Sequence, residues 1–328
     1  MKKILALAAH SVAASYGAFD HAFPSKPITF VVPFAAGGPT DLVARRLAEA
    51  MRKPLGGANI VVENAAGAGG TIAGTKVARA TPDGYTLLVW HIGMAATTSL
   101  YRKQTFKPLE DFEYLGMIND VPMTLLGTNK LNANTYRDFE AYIRANGGKL
   151  NLAHAGLGSA SHLCGLMWQS AVKLDKSMTT IAYRGTGPAM NDLIGGQVDV
   201  MCDQTTNTTS QIEAGRVKAF AVTTAKPLSN HKLLKDYPSL QEMGLKGFNL
   251  TIWHGVYAPK GTPPDVTKKL NDALQVALKD PEFIKSQEDL GAIVVTDNRM
   301  TPAGHKAFVA NEITKLKAAI DAAGQFAD

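Results

Sequence analysis

Short apolar runs rich in β-branched residues alternate along this chain with loops of Gly, Ser and Thr, and each loop leads into a helix-like stretch. Residues 28–33 run into Phe34-Ala35-Ala36-Gly37-Gly38-Pro39-Thr40-Asp41 and then into 42–51, where Leu42, Val43, Leu47 and Ala50 share one helical face. Residues 60–63 precede Asn64-Ala65-Ala66-Gly67-Ala68-Gly69-Gly70 and a helix over 71–80, and 86–90 precede His91-Ile92-Gly93-Met94 and another helix. A second series starts at 151–155, followed by Gly156-Leu157-Gly158-Ser159-Ala160-Ser161-His162 and a helix. Residues 179–183 lead to Arg184-Gly185-Thr186-Gly187, with Pro188 at a first helical position and Gly195-Gly196 as the stop. Residues 198–202 lead through a polar loop, Asp203-Gln204-Thr205-Thr206-Asn207-Thr208, to a helix ending near Gly215. Strands alternating with helices predict parallel sheets, in two sets.

Between the sets, 114–118 and 121–127 read as consecutive strands, and 248–258 as an extended segment before Gly261-Thr262-Pro263-Pro264. Residues 266–279 and 302–323 read as helical, with a short strand at 293–296. A chain that crosses near residue 125 and returns near 250 forms two α/β lobes around a hinged cleft. The expected division is one lobe from 23–124 with 252–328 and a second from 125–251.

Composition narrows the class. A chain of 328 residues with 45% hydrophobic and 19% charged residues is globular, with room for two ordinary domains. The net charge of +6 comes from scattered Lys and Arg with no basic stripe interleaved with aromatics, so no nucleic-acid partner is expected. Lys2 and Lys3 precede an apolar run at 4–9 and small residues to Ala18, the order of a secretory signal. The run is too short for a membrane span. A signal peptide over 1–22, cut between Ala14 and Ala22, is expected and places the mature chain in the periplasm.

The motifs exclude more than they assign. The sixth position of Gly67-Ala68-Gly69-Gly70-Thr71-Ile72 is Ile, and that of the 156–161 loop is Ser, so neither is a dinucleotide fingerprint, and no Walker lysine follows. Ser159 and Ser161 lack the Gly-x-Ser-x-Gly elbow, and His162 with Cys164 falls short of a metal set. The repeated loops do supply helix N-termini, whose unpaired N–H groups and dipole hold a carboxylate without Lys or Arg. Cys164 and Cys202 lie near strand ends of one lobe; a disulfide is favoured over two buried thiols in an oxidising compartment.

The residues at 27–41, Glu63-Asn64-Ala65-Ala66-Gly67-Ala68-Gly69-Gly70, Pro82-Asp83-Gly84-Tyr85-Thr86-Leu87, Gly158-Ser159-Ala160-Ser161-His162-Leu163, Tyr183-Arg184-Gly185-Thr186-Gly187-Pro188-Ala189 and Gly195-Gly196-Gln197-Val198-Asp199 together resemble the Bug family. These are the extracytoplasmic substrate-binding receptors of tripartite tricarboxylate transporters. The resemblance implies a two-lobed α/β periplasmic binding protein of the Venus-flytrap kind, each lobe a mainly parallel sheet flanked by helices, with two crossover segments. It implies a small carboxylate as ligand, a membrane permease as partner, a monomer, no cofactor and no metal. Carried onto this chain, it points to Phe34, Ala35, Gly38, Thr40 and Asp41 in one lobe and Ser159, Ala160, Ser161 and His162 in the other, with His91, Asp203 and Thr206 on neighbouring loops. The 201–208 segment is similar to a subgroup that includes binders of aromatic dicarboxylates, and Phe34, Trp90 and Met94 are expected to give the cavity an apolar lining. Asp203 has two readings, a bond to neighbouring loop N–H groups or a contact with a ligand ammonium. A secreted hydrolase or lyase using His162 with Ser159 or Ser161, and a sensory module presenting a ligand, are the competing functions.

Overall fold

In a computed structural model the chain is described over residues 23–174 and 178–323; the expected signal peptide lies outside them. The first lobe begins with β1 (Ile28–Val32), α1 (Pro39–Arg52), β2 (Ile60–Asn64), α2 (Thr71–Ala78), β3 (Thr86–His91) and α3 (Gly93–Leu100). The chain then enters β4 (Phe112–Gly127) and continues through α4 (Tyr136–Asn146), β5 (Asn151–His154), α5 (Ala160–Val172), β6 (Thr179–Ala182), α6 (Thr186–Gly195), β7 (Val200–Gln204), α7 (Thr205–Glu213) and β8 (Lys218–Val222). It returns along β9 (Thr251–Pro259) to α8 (Pro264–Ala277), α9 (Pro281–Glu288), β10 (Ile293–Val294) and α10 (Pro302–Ala323).

One strand joins the two halves. From Phe112 to Pro122, β4 pairs antiparallel with β9, and from Met123 to Gly127 it pairs with β7 on one edge and, from Thr124, with β8 on the other. The sheet order is β2-β1-β3-β9-β4-β7-β5-β6, with β8 and β10 also on β4. The two strands expected at 114–118 and 121–127 are therefore one. Asn119 and Asp120 do not break it, because both stay in register with β9. Gly116, at φ +140, sits where the register shifts; a Cβ there would fall 2.6 Å from the Met300 carbonyl oxygen.

Burial explains the element choices. Val31, Leu88 and Trp90 pack one face of the first half, and Phe30, Leu87 and Val89 pack the other against α1 and α8, so the central strands are apolar on both faces. In the second half, Leu126, Ala153 and Met201 face α6, while Leu125, Leu152, Val200 and Cys202 face α5 and α4. Helix α10 lies on α3 and β4 and also touches α5, so the C-terminal helix bridges the halves and does not serve the first alone. Helices α4 and α9 and strand β8 have no counterpart among the elements read from the pattern.

Two local expectations change. Helix α6 starts at Thr186, which places Pro188 third in the helix; its missing N–H costs nothing in a first turn. Strand β7 runs on to Gln204, which is also the N-cap of α7, because Thr124 and Met123 extend the ladder to Asp203 and Gln204. No loop intervenes. Asp203 is a strand residue and Thr206 a helical one.

Cys164 in α5 and Cys202 in β7 form a disulfide, with Cα atoms 6.0 Å apart across 38 residues of sequence. Closing a loop of that length stabilises by about 4 kcal/mol in the chain-entropy picture. Replacing both cysteines with Ala should lower the denaturant midpoint by a corresponding amount. Intact-mass measurement after alkylation without reductant should show no added alkyl group, and two additions would contradict the pairing.

Candidate functional site

Four helices begin at one small cavity between the halves. It is lined by Phe34, Pro39 and Thr40 from the start of α1, Ser159, Ala160 and Ser161 from the start of α5, Thr186 from α6, and Asp203 and Gln204 at the start of α7. His91 and Ala155 complete it. Among these residues there is no Lys or Arg. The first-turn N–H groups of a helix have no intrahelical acceptor and carry the positive end of its dipole, so convergence of four such ends makes a field suited to an anion.

The polar side chains are fixed by local bonds that leave particular atoms for a ligand. Ser159 caps α5, its Oγ accepting the His162 N–H at 3.2 Å; Ser161 Oγ accepts the Ala155 N–H at 3.0 Å; and the two hydroxyls lie 3.1 Å apart. One hydroxyl proton serves that contact and the other remains free. His91 accepts the Gly93 N–H on Nδ1 at 2.9 Å, which leaves its proton on Nε2, and its ring stacks on Phe34 at 4.9 Å. Burial holds His91 neutral, its pKa pushed down to about 3. Gln287 accepts the Asn119 amide at 2.7 Å, which turns Asn119 Oδ1 towards His254 Nδ1 at 2.9 Å. The proton of that buried ring then sits on Nδ1, and Nε2 accepts the Thr40 hydroxyl at 3.3 Å. Thr40 thus offers the cavity lone pairs.

Asp203 is fully buried. Its Oδ2 takes the Asn207 amide at 2.5 Å, while Oδ1 has no partner among the described residues; the same holds for Gln204 Oε1. Burial pushes the Asp203 carboxyl up to about 7, against smaller opposing pulls from the Asn207 amide, the Gln204 backbone N–H and the Thr186 hydroxyl.

The halves touch along a rim of glycines. Ala35 donates its N–H to the Arg184 carbonyl at 3.0 Å, and the Tyr101 hydroxyl donates to the Leu157 carbonyl at 2.8 Å. Gly69, at φ +61, approaches so closely that a Cβ would fall 1.8 Å from the Leu157 carbonyl oxygen. Gly38 faces Gly187 N at a Cβ distance of 3.6 Å, and Gly185 faces Ala35 N at 3.0 Å. This is a closed arrangement.

Of the residues expected at the site, Phe34, Thr40, His91, Ser159, Ala160, Ser161 and Asp203 line the cavity. Ala35 belongs to the rim, and Gly38 is the N-cap of α1. Asp41 orders the first loop by accepting the Gly37 N–H, the Arg45 guanidinium and the Asn64 amide, each at 2.9 Å, contacts that together outweigh its burial and keep it ionised. His162 accepts the Gly158 N–H on Nδ1 at 3.3 Å, and Thr206 is buried within α7. Trp90 and Met94 do not line the cavity as expected. Both are wholly buried in the core, Trp90 against Phe106 with its indole filling the space over Gly70 and Gly93. Asp203 accepts from the Asn207 side chain and also feels the Gln204 backbone N–H, the kind of neighbour that one of its two readings named. Pro39, Ala155, Thr186, Gln204 and the supporting His254 and Asn119 were missed; for Pro39, Thr186 and Gln204 the signal available was their place in a loop that leads into a helix.

Two lobes closing on a cavity at strand C-termini define a periplasmic binding protein. BugD, a periplasmic binding protein of solved structure, is similar with a TM-score of 0.89 at 48% identity, covering 93% of this chain and 99% of that one. MatC from Rhodopseudomonas palustris, solved with bound malate, gives 0.85 at 38% identity over 91% of this chain and 100% of its own. An Agrobacterium vitis protein described as the UPF0065 protein in the TAR-I ttuE-ttuC' intergenic region is 45% identical over 303 residues, 92% of this chain and 86% of that protein. The profile of the tripartite tricarboxylate transporter family receptor, TctC, matches residues 43–325. The chain belongs to that family of solute-binding receptors and is not an enzyme, as the loop resemblance implied.

The Asp203 carboxyl has a pH signature in stability. Its folded pKa of about 7 lies above the ordinary value of 3.8, so its contribution is full below pH 3.8 and is lost as pH rises through 7. Asp203→Asn should therefore stabilise the ligand-free protein at pH 8, by up to about 4 kcal/mol, with no gain below pH 4. Thermal denaturation of both proteins across this range checks the sign.

Proposed function

We propose that the chain is an exported periplasmic receptor, processed within residues 1–22, that captures a small dicarboxylate between a lobe formed by 23–124 with 252–328 and a lobe formed by 125–251. As a monomer it hands the ligand to the membrane permease of a tripartite tricarboxylate transporter. The observation that carries this reading is the meeting of four helix N-termini at a cavity without a cationic side chain. The free hydroxyl of the Ser159–Ser161 pair and His91 Nε2 are donors for one carboxylate. Family membership and a relative solved with malate support a compact organic acid. With Trp90 and Met94 in the core, Phe34 is the remaining apolar wall of the three expected, which favours a compact aliphatic body over an aromatic one.

A thermal-shift panel tests the ligand class. Malate, succinate, adipate and terephthalate are compared with glucose and putrescine, since binding to the native state raises stability by about 2.7 kcal/mol at a hundredfold excess over Kd. Dicarboxylates should raise the melting temperature, with succinate and malate ahead of terephthalate. Stabilisation by glucose or putrescine alone would refute the carboxylate reading.

Closure is tested at the rim. Ligand should reduce the radius of gyration of the wild type in small-angle scattering. Gly69→Ala, which sets a methyl group against the Leu157 carbonyl, should weaken binding at least tenfold and abolish that compaction.

A further inference from the structure

The cavity wall contains an unexplained carboxyl group. A receptor for a dianion has buried a carboxyl group in its own binding wall, with Oδ2 turned to Asn207 in α7 and Oδ1 buried without a hydrogen-bond partner among the described residues. An ionised Asp203 beside an incoming carboxylate would be repulsive, and the wall supplies no cation to offset it.

The neighbouring groups do not relieve the conflict. His91 on β3 and His254 on β9 are neutral, held so by burial. His154 on β5, pushed down to about 4, is also neutral, and His162 on α5 turns Nδ1 to the Gly158 N–H. Asp41 on α1 is ionised and already paired with Arg45. From β4, α6 and α7 come Thr124, Thr186 and Asn207, none of which titrates.

Resting on the dicarboxylate reading above, we propose that capture is proton-coupled: each ligand dianion enters together with one proton, which binds Asp203 Oδ1. The new O–H then donates to a ligand carboxylate oxygen, so the orphaned atom becomes a donor and one negative charge is removed from the closed site. The proton comes from solvent, and no other bond is made or broken. Below neutral pH the free site already holds this proton; above it, the proton must be taken up on binding.

Calorimetric titration with succinate and with L-malate, in buffers of differing ionisation enthalpy, counts the protons. Uptake should approach one per ligand at pH 8 and fall towards zero at pH 6, and Kd should weaken about tenfold per pH unit above 8. In Asp203→Asn, whose amide can donate at every pH, uptake should vanish and Kd should no longer follow pH; its melting curve establishes that it is folded. Tight dicarboxylate binding at pH 8 with no proton uptake would overturn the proposal. So would loss of affinity in Asp203→Asn at all pH values together with wild-type selectivity for L-aspartate, which would make the ionised carboxylate a partner for a ligand ammonium. If no organic acid binds at any pH, the receptor reading fails first, and the wild-type panel alone reveals that.

Discussion

Helix N-termini are weak anion sites singly, because each offers a few N–H groups and about half a unit charge. This architecture brings four of them to one small cavity, α1 from the first half and α5, α6 and α7 from the second, and nearly every other feature serves to hold them there. Strand β4 carries the constraint across the molecule: it is laddered to β9 in one half and to β7 and β8 in the other, so the two sets of helix starts share a single backbone. The disulfide ties α5 to β7 one turn from Ser161 and beside Asp203, fixing two of the four walls relative to each other.

Closure depends on the absence of side chains as much as on their presence. The rim is backbone against backbone at Gly38, Gly69, Gly185 and Gly187, and the bonds across it, from Ala35 to Arg184 and from Tyr101 to Leu157, use carbonyl acceptors. Such a seam is built from backbone contacts and not from interlocking side chains.

The electrostatics of the cavity come from what burial does to ionisable groups. Three histidines near it are stripped of charge, and each is given a definite proton position or acceptor role by a neighbour: Gly93 for His91, Asn119 for His254, Gly156 for His154. Asp203 is pushed the other way, towards its neutral form. A site with neither a fixed cation nor a firmly ionised anion leaves backbone dipoles and hydroxyls to set the selectivity.

The sequence by itself determined the alternation of strands and helices, the two series of βα units, the glycine loops and the pair of cysteines. Each of these is local: period, cap and turn chemistry are written within a dozen residues. The helix starts at Thr40, Ser159 and Ser161 were legible for that reason. What only the tertiary structure decided is which atoms face the cavity. Trp90 on β3 and Met94 in α3 have the composition of a lining, yet both pack into the core, because the cavity is bounded mainly by helix ends that neither side chain reaches. Thr40 looks like a donor until Gln287, Asn119 and His254, drawn from three distant segments, fix its proton. Asp203 and Gln204 look like loop residues until pairing with Met123 and Thr124 extends β7 beneath them. For Thr40, Asp203 and Gln204 the deciding partner is more than seventy residues away, and a neighbour at that distance is set by the fold, not by the local pattern.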